Sequence, residues 1–165
     1  MSWSDRRRAL GLLAALPLLA ACGFAPVYGP GRAGGPLQGR LRPDDPDTED
    51  AFRLNARLED RLGRPGASAL RLAHEISVTE DAGLATADRS ASRIRLLGTV
   101  RYRVLEGERL LTEGHAEGFT AYSTTATPLA TRAAAEDARR RLMVLLADGM
   151  VTRLQASAPQ WLPAP

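Results

Sequence analysis

The chain has 165 residues, with 22 basic side chains, 19 acidic ones and one cysteine. This length fits one domain of ordinary size, and a single cysteine excludes an internal disulfide bond. The formal net charge of +3 is too small to indicate nucleic-acid binding, and every basic residue is an arginine.

The first residues have the three zones of a secretory signal peptide. Arg6, Arg7 and Arg8 form a positive start, and residues 9–21 are apolar apart from one glycine and one proline. An apolar stretch of about 13 residues is too short to span a bilayer, which needs roughly 20. We predict that residues 1–21 are removed on export. The adjacent arginines also resemble a twin-arginine signal faintly, which leaves two export routes open.

The motif Leu-Ala-Ala-Cys-Gly around Cys22 resembles the lipobox of bacterial lipoproteins. In such proteins the cysteine thiol receives a diacylglyceryl group, and signal peptidase II cuts before it. The alternative is an ordinary buried thiol, which does not explain a lone cysteine in an exported chain. Each buried acyl methylene contributes about 0.8 kcal/mol, so several fatty acyl chains such as palmitate anchor firmly. We predict that Cys22 is the lipidated first residue of the mature protein.

The mature chain is nearly neutral. Removing the first 21 of 165 residues leaves 144 residues and takes away three arginines and one aspartate, so the net charge falls from +3 to +1. Gly23 follows the cysteine, whereas aspartate at this position retains enteric lipoproteins at the inner membrane. By resemblance to that sorting rule, we expect a lipid anchor on the periplasmic side of the outer membrane.

The N-terminal part of the mature chain is predicted to be a tether followed by a short strand and a helix. Residues 22–39 are rich in glycine and proline, which favours a tether with little core. A short strand is predicted over 37–41, and a turn-rich break over 42–46. The next segment, 47–62, predicts a helix capped by Asp47 or Thr48. Its apolar positions are Phe52, Leu54, Leu58 and Leu62.

Three further segments are predicted to form antiparallel strands. Residues 70–79 and 92–105 alternate between apolar and polar side chains, as a half-buried strand does. After a turn at 106–108 the chain returns over 109–122. A three-residue loop predicts that Leu105 pairs with Arg109, and hence that Arg101 pairs with Glu113.

A long alanine-rich helix is predicted from Pro128 to about 156, because proline suits the first helical position. Residues 158–165 are predicted to be a flexible tail. The element order is then β-α-β-β-β-α. It predicts a two-layer α+β domain over 40–157, with a mainly antiparallel sheet of about four strands packed against two helices.

The sequence shows no catalytic constellation. No histidine and cysteine cluster has metal-ligand spacing, and no nucleotide-binding or nucleophile motif occurs. His74 lies on the apolar face of its strand, which favours a core histidine over a ligand. The pair Asp44 and Asp45 lies between prolines, which favours a turn over acid–base chemistry. We therefore expect no enzymatic activity, no metal and no cofactor.

Four arginines share the polar face of the strand predicted over 92–105. These arginines are Arg93, Arg95, Arg101 and Arg103. One interpretation is a solvated face neutralised by Glu113 and Glu117, since surface ion pairs contribute only about 0–1 kcal/mol. The other interpretation is a binding stripe for an anionic ligand or an acidic partner, because the arginine fork suits phosphate and carboxylate.

Two stretches resemble the LptE family of lipopolysaccharide-assembly lipoproteins. The mature start 22–28, Cys-Gly-Phe-Ala-Pro-Val-Tyr, resembles the family opening Cys-Gly-Phe-x-Pro-x-Tyr. Residues 121–125 and the alanine-rich helix after them resemble the family's last strand and C-terminal helix. Two features depart from the family pattern, namely Ala25 and the long glycine- and proline-rich tether. Both affect the contacts expected of the N-terminal segment rather than the fold.

The resemblance implies both a function and partners. LptE proteins insert into the lumen of the outer-membrane barrel LptD, assist its assembly, plug it, and bind lipopolysaccharide through basic residues. It thus implies an LptD-like barrel, lipopolysaccharide and outer-membrane lipid as partners, and no nucleic acid. The arginine stripe is nominated as the lipopolysaccharide site on physical grounds. The alternatives are an adaptor or scaffold of another envelope complex and a tethered periplasmic hydrolase, although no nucleophile and base are paired in the sequence.

Overall fold

The computed structural model describes residues 35–81 and 93–162. The predicted signal peptide, Cys22, the opening 22–28 and most of the tether lie outside these residues. Predictions for those segments therefore stay predictions.

The described residues form a two-layer α+β domain, as the sequence predicts. A 3₁₀ turn at Gly35–Leu37 precedes the main elements. These are β1 (Leu41–Pro43), α1 (Glu49–Leu62), β2 (Leu70–Asp81), β3 (Arg93–Glu106), β4 (Arg109–Ser123) and α2 (Pro128–Trp161). The strand order is β1-β2-β3-β4; β1 pairs with β2 in parallel, and the other pairs are antiparallel.

The predicted first strand is present, but its predicted bounds of 37–41 are wrong. Leu37 ends the 3₁₀ turn and is fully buried, and β1 begins only at Leu41. The chain turns between them at Gly39, whose φ of 67° suits glycine. β1 instead extends to Pro43, which is compatible with an edge strand because one side of its backbone needs no ladder hydrogen bond.

Helix α1 confirms the predicted helix and decides its cap. The Thr48 side chain accepts a hydrogen bond from the Ala51 amide at 3.1 Å, so Thr48 rather than Asp47 is the N-cap. The leucines at the other predicted apolar positions, Leu54, Leu58 and Leu62, are buried. Phe52, predicted to belong to this apolar stripe, is 62% exposed, because a step of two residues rotates it to the other side of the helix.

The alternation predicted for β2 and β3 is confirmed, and it gives the sheet two different faces. We call the face that packs on the helices the inner face and the opposite one the outer face. The inner face of β3 is buried from Leu96 to Val104 at every second residue. The leucines and methionines of α2 complete the core against it. The outer-face side chains of β3 are mostly exposed.

The β3–β4 pairing differs from the predicted register. The turn is one residue shorter than predicted, and beyond the bulge the pairing is shifted by two residues. Glu106 pairs with Arg109, which leaves a two-residue turn with Gly107 at φ 61°. Leu105 then pairs with Leu110 rather than Arg109, and a bulge follows. The shorter turn and the bulge each shift the pairing by one residue, so beyond the bulge the side chains keep their predicted faces. Leu110, which the predicted register places opposite Val104, lies before the bulge; it pairs with Leu105 instead and is 48% exposed.

Helix α2 continues beyond the predicted end at 156 and reaches Trp161. Pro159 is tolerated because it removes only a hydrogen bond in the last turn. Ala158 is buried, and the Trp161 indole Nε1 donates to the Ser157 hydroxyl at 2.9 Å, which holds the turn. Residues 158–161, assigned by sequence to a loose tail, are therefore helical. Neither described helix combines the length and apolar character needed to cross a bilayer.

Candidate functional site: the outer face of the sheet

The four arginines of the predicted stripe share the outer face of β3. All four are exposed, in the arrangement that the alternation predicts. They form two groups, Arg93 with Arg95 and Arg101 with Arg103. Six residues separate Arg95 from Arg101, which corresponds to roughly 20 Å along a strand. The stripe is therefore two separate basic positions rather than one continuous surface.

The first basic position is partly neutralised. Asp81 of β2 pairs directly with Arg95, and the Arg95 Nη2 atom donates to the Asp81 Oδ2 atom at 2.5 Å. The sequence did not predict this pair, because the predicted strand ended at Thr79. The register between β2 and β3 also could not be derived from the length of the loop that joins them. Among the described residues, Arg93 forms no ion pair.

The second basic position has carboxylates beside it in the ladders: Glu75 of β2 faces Arg101, and Glu113 of β4 faces Arg103. Arg101 faces His115 and Arg103 faces Glu113 across the β3–β4 ladder, instead of the predicted pair of Arg101 with Glu113. Within the described ranges, neither arginine forms an ion pair. Glu117 lies beside His115 instead, with 3.7 Å between Oε1 and Nε2. Both guanidinium groups are thus available to a ligand.

A cavity lies beside the second basic position, where β1 ends along β2. Its volume is about 270 Å³, and its lining includes three arginines (Arg71, Arg101 and Arg103), two carboxylates (Asp44 and Glu75) and His74. Three guanidinium groups therefore surround one concave surface. Guanidinium forks bind phosphate and carboxylate oxygens in pairs of parallel hydrogen bonds. This arrangement suits an anionic group of either kind.

One of the three cavity arginines already has a partner. Arg71 donates from Nε and Nη2 to the two carboxylate oxygens of Asp44, at 2.7 and 2.8 Å. This guanidinium lowers the pKa of Asp44 below its usual range. Asp44, which the sequence assigned to a turn, thus also orients a basic side chain. Parallel pairing of β1 with β2 brings these two residues together although 27 positions separate them in the sequence. No local sequence pattern predicts a contact over that separation.

His74 is half-buried beside the cavity. Its Nδ1 atom is buried and has no hydrogen-bond partner among the described residues. Burial lowers the pKa of His74, and the Leu72 backbone and the carboxylates of Asp44 and Asp47 offset this only partly. His74 is therefore a half-buried residue at the margin of the core that also lines the cavity. In the part of the chain that the structure describes, no three potential ligands cluster to hold a metal ion.

The described residues thus define a two-layer α+β domain whose open sheet face carries arginines and carboxylates side by side. The chain belongs to the LptE family: the family model, described as lipopolysaccharide-assembly, matches residues 40–154. This confirms the resemblance found in the sequence. No curated protein matches the chain.

Three solved structures share the fold. A putative lipoprotein from Caulobacter crescentus is 21% identical, with a TM-score of 0.60, and the match covers 74% of this chain and 92% of that one. Rare lipoprotein B from Shewanella oneidensis is 16% identical, with a TM-score of 0.53 and coverages of 72% and 93%. A minor lipoprotein from Acinetobacter baumannii is 16% identical, with a TM-score of 0.57 and coverages of 74% and 95%.

Together, the family and these lipoprotein folds support a lipopolysaccharide-assembly lipoprotein of the bacterial envelope. The family is one of assembly proteins rather than enzymes.

Proposed function

We propose that this protein is an outer-membrane lipoprotein subunit of the lipopolysaccharide translocon. In this role it assists the assembly of an LptD-like barrel, plugs its lumen, and binds lipopolysaccharide on its way to the outer leaflet. The family match over 40–154 supports the assembly role. The lipobox at Cys22 supports the anchor, and Gly23 supports the outer membrane as its destination.

One structural observation supports lipopolysaccharide binding. Arg101 and Arg103 are exposed on the same face beside a cavity, and neither forms an ion pair among the described residues. Lipid A carries phosphates or, in some bacteria, uronic acids, and both present oxygens that a guanidinium fork can bind. Arg93 and Arg95 form a secondary contact, since Asp81 already occupies Arg95.

Binding of purified lipopolysaccharide to the full chain in detergent tests this assignment. Changing Arg101→Gln with Arg103→Gln is expected to weaken binding at least tenfold, and Arg93→Ala with Arg95→Ala to weaken it less. The matched control is Arg132→Gln with Arg153→Gln, which removes two exposed arginines from α2 and leaves the sheet face intact. Unchanged affinity in both folded sheet variants rejects the arginine stripe as the ligand site.

A second experiment tests the assembly role. Depletion of the protein is expected to stop new lipopolysaccharide from reaching the cell surface, and a large β-barrel is expected to copurify with it from detergent extracts. Normal surface lipopolysaccharide after depletion, with no barrel partner, would instead favour an adaptor or scaffold of another envelope complex.

A further inference from the structure

β4 forms an open edge of the sheet. It is the last strand in the order, so one side of its backbone has no strand neighbour among the described residues. Apart from its ladder with β3, no backbone hydrogen bond joins it to another described element. An open edge of this length, which runs from 109 to 122, is a template for another strand.

Only half of this edge carries the features that usually prevent pairing. The half nearer the turn has Glu113, His115 and Glu117 at alternate positions. From Gly118 to Ser123 the strand has no charged residue and no proline. Charges and prolines are the common devices that block edge-to-edge association. Pairing is therefore opposed over one half of β4 and unopposed over the other.

Exposed apolar side chains flank the unopposed half on both faces of the sheet. On the outer face, Phe119 is 66% exposed and pairs with Leu97, which is 43% exposed. On the inner side, Val144 and Leu145 of α2 are also exposed and line an apolar groove of about 550 Å³. We call these four side chains, with the backbone of 118–123, the β4 apolar edge.

The groove has a positive rim. Arg140 and Arg141 line it, and both pair with the single carboxylate of Asp137, at 3.0 Å for the Arg140 Nη2 atom. Two guanidinium groups and one carboxylate leave one positive charge uncompensated. An occupant with an acidic side chain near this rim is favoured over a neutral or basic one.

The same charge argues against a second copy of this chain as the occupant. A symmetric dimer through β4 brings a surface against the same surface of its partner. When the two-fold axis passes near 118–123, Arg140 and Arg141 approach their own copies, and like charges facing each other across an interface cost free energy.

We propose that the β4 apolar edge binds an extended segment of another polypeptide by strand addition. The added strand supplies backbone hydrogen bonds to 118–123, apolar side chains on both of its faces, and an acidic side chain near Arg140 and Arg141. This inference does not depend on lipopolysaccharide binding or on an LptD-like barrel.

The test uses the full chain in detergent and a defined peptide, acetyl-Val-Thr-Val-Val-Glu-Val-Thr-amide. Hydrogen exchange of the backbone amides of 118–123 is measured with and without a saturating amount of peptide. Exchange of the amides that point to the open edge is expected to slow at least tenfold, because pairing with the peptide protects them; the amides that alternate with them are already paired with β3. A peptide with lysine in place of glutamate is expected to bind several times more weakly, and one with N-methylated backbone nitrogens not to bind.

Three variants assign the effect to the β4 apolar edge. Phe119→Lys is expected to reduce peptide affinity at least tenfold. Leu110→Lys, at a 48% exposed leucine near the other end of the same strand, is the matched control and is expected to bind normally. Arg141→Glu is expected to reverse the preference, so that the lysine peptide binds better than the glutamate peptide.

Several results would overturn the proposal. These are unchanged exchange with the peptide, equal losses in Phe119→Lys and Leu110→Lys, and a peptide preference that Arg141→Glu does not alter. Protection of 118–123 that rises with protein concentration in the absence of peptide would assign the edge to a second copy of this chain instead.

Discussion

Gly98 of β3 pairs directly with Gly118 of β4, and the Leu142 side chain of α2 packs against both glycines. The two positions differ in the room that they leave. A Cβ atom on Gly98 would lie 2.9 Å from the Leu142 Cδ2 atom, closer than real Cβ contacts. A Cβ atom on Gly118 would lie 3.6 Å from its nearest neighbour, the Leu145 Cβ atom, at an ordinary contact distance.

These distances predict opposite effects of the same substitution. Gly98→Ala is expected to lower the free energy of unfolding by about 1 kcal/mol, because Leu142 must shift in a packed core. Gly118→Ala is expected to leave it unchanged or raise it by about 0.5 kcal/mol, since alanine restricts the unfolded chain. Urea denaturation of both variants measures the difference, and equal effects would show that α2 does not pack more tightly over β3.

Asp148 of α2 joins the two helices. Its Oδ1 and Oδ2 atoms accept hydrogen bonds from the Arg57 Nε and Nη2 atoms at 3.1 and 3.0 Å, and Arg61 donates to Oδ1 at 2.9 Å. These groups are partly exposed, so Asp148→Asn is expected to lower the free energy of unfolding by only about 1 kcal/mol. Asp60→Asn, at an exposed aspartate of α1, is the control and is expected to have no effect in the same urea denaturation assay. A loss as small as that of the control would mean that the hydrogen bonds of Asp148 add nothing to the docking of the two helices.

The sequence predicted which residues face the core better than it predicted which residues meet. Alternation over 70–79 and 92–105 gives the buried faces, because it follows from the two-residue period of a strand. The register between β3 and β4 was wrong because it depends on the Gly107 turn and on a bulge, which shift pairing without changing the pattern.

The candidate site shows the same limit. The shared face of Arg101 and Arg103 follows from alternation. Their cavity, by contrast, depends on Asp44 and Arg71, which β1 and β2 bring together across a long separation. Asp81 meets Arg95 across a loop whose length does not fix the register. Contacts of this kind come from tertiary packing rather than from a local period.

His74 predicts a pH dependence of stability. Because burial lowers its pKa in the folded protein, the unfolded chain binds the proton more readily. The stabilising contribution is therefore fully present above the unfolded pKa of about 6.5. It is lost as the pH falls through the range between the unfolded and the folded pKa. The free energy of unfolding is expected to decrease between pH 7.5 and pH 5.

The variant His74→Gln tests the cause, because glutamine does not titrate. Its free energy of unfolding, measured in urea at both pH values, is expected to fall less than that of the unmodified protein. His115→Gln, at the exposed histidine beside Glu117, is the control and is expected to retain the full decrease. If His74→Gln shows the same decrease as the unmodified protein, the pH dependence arises elsewhere.

Cys22, which lies outside the described residues, predicts the anchoring behaviour of the protein. Cys22→Ser removes the sulfur nucleophile, so no labelled fatty acid is expected to be incorporated. Gly23→Asp is the matched control: by the enteric sorting rule, it is expected to incorporate fatty acid normally but to fractionate with the inner membrane. Because each buried methylene contributes about 0.8 kcal/mol, loss of the acyl chains removes the firm anchor. Fatty acid incorporation into Cys22→Ser would contradict a lipid anchor at this cysteine.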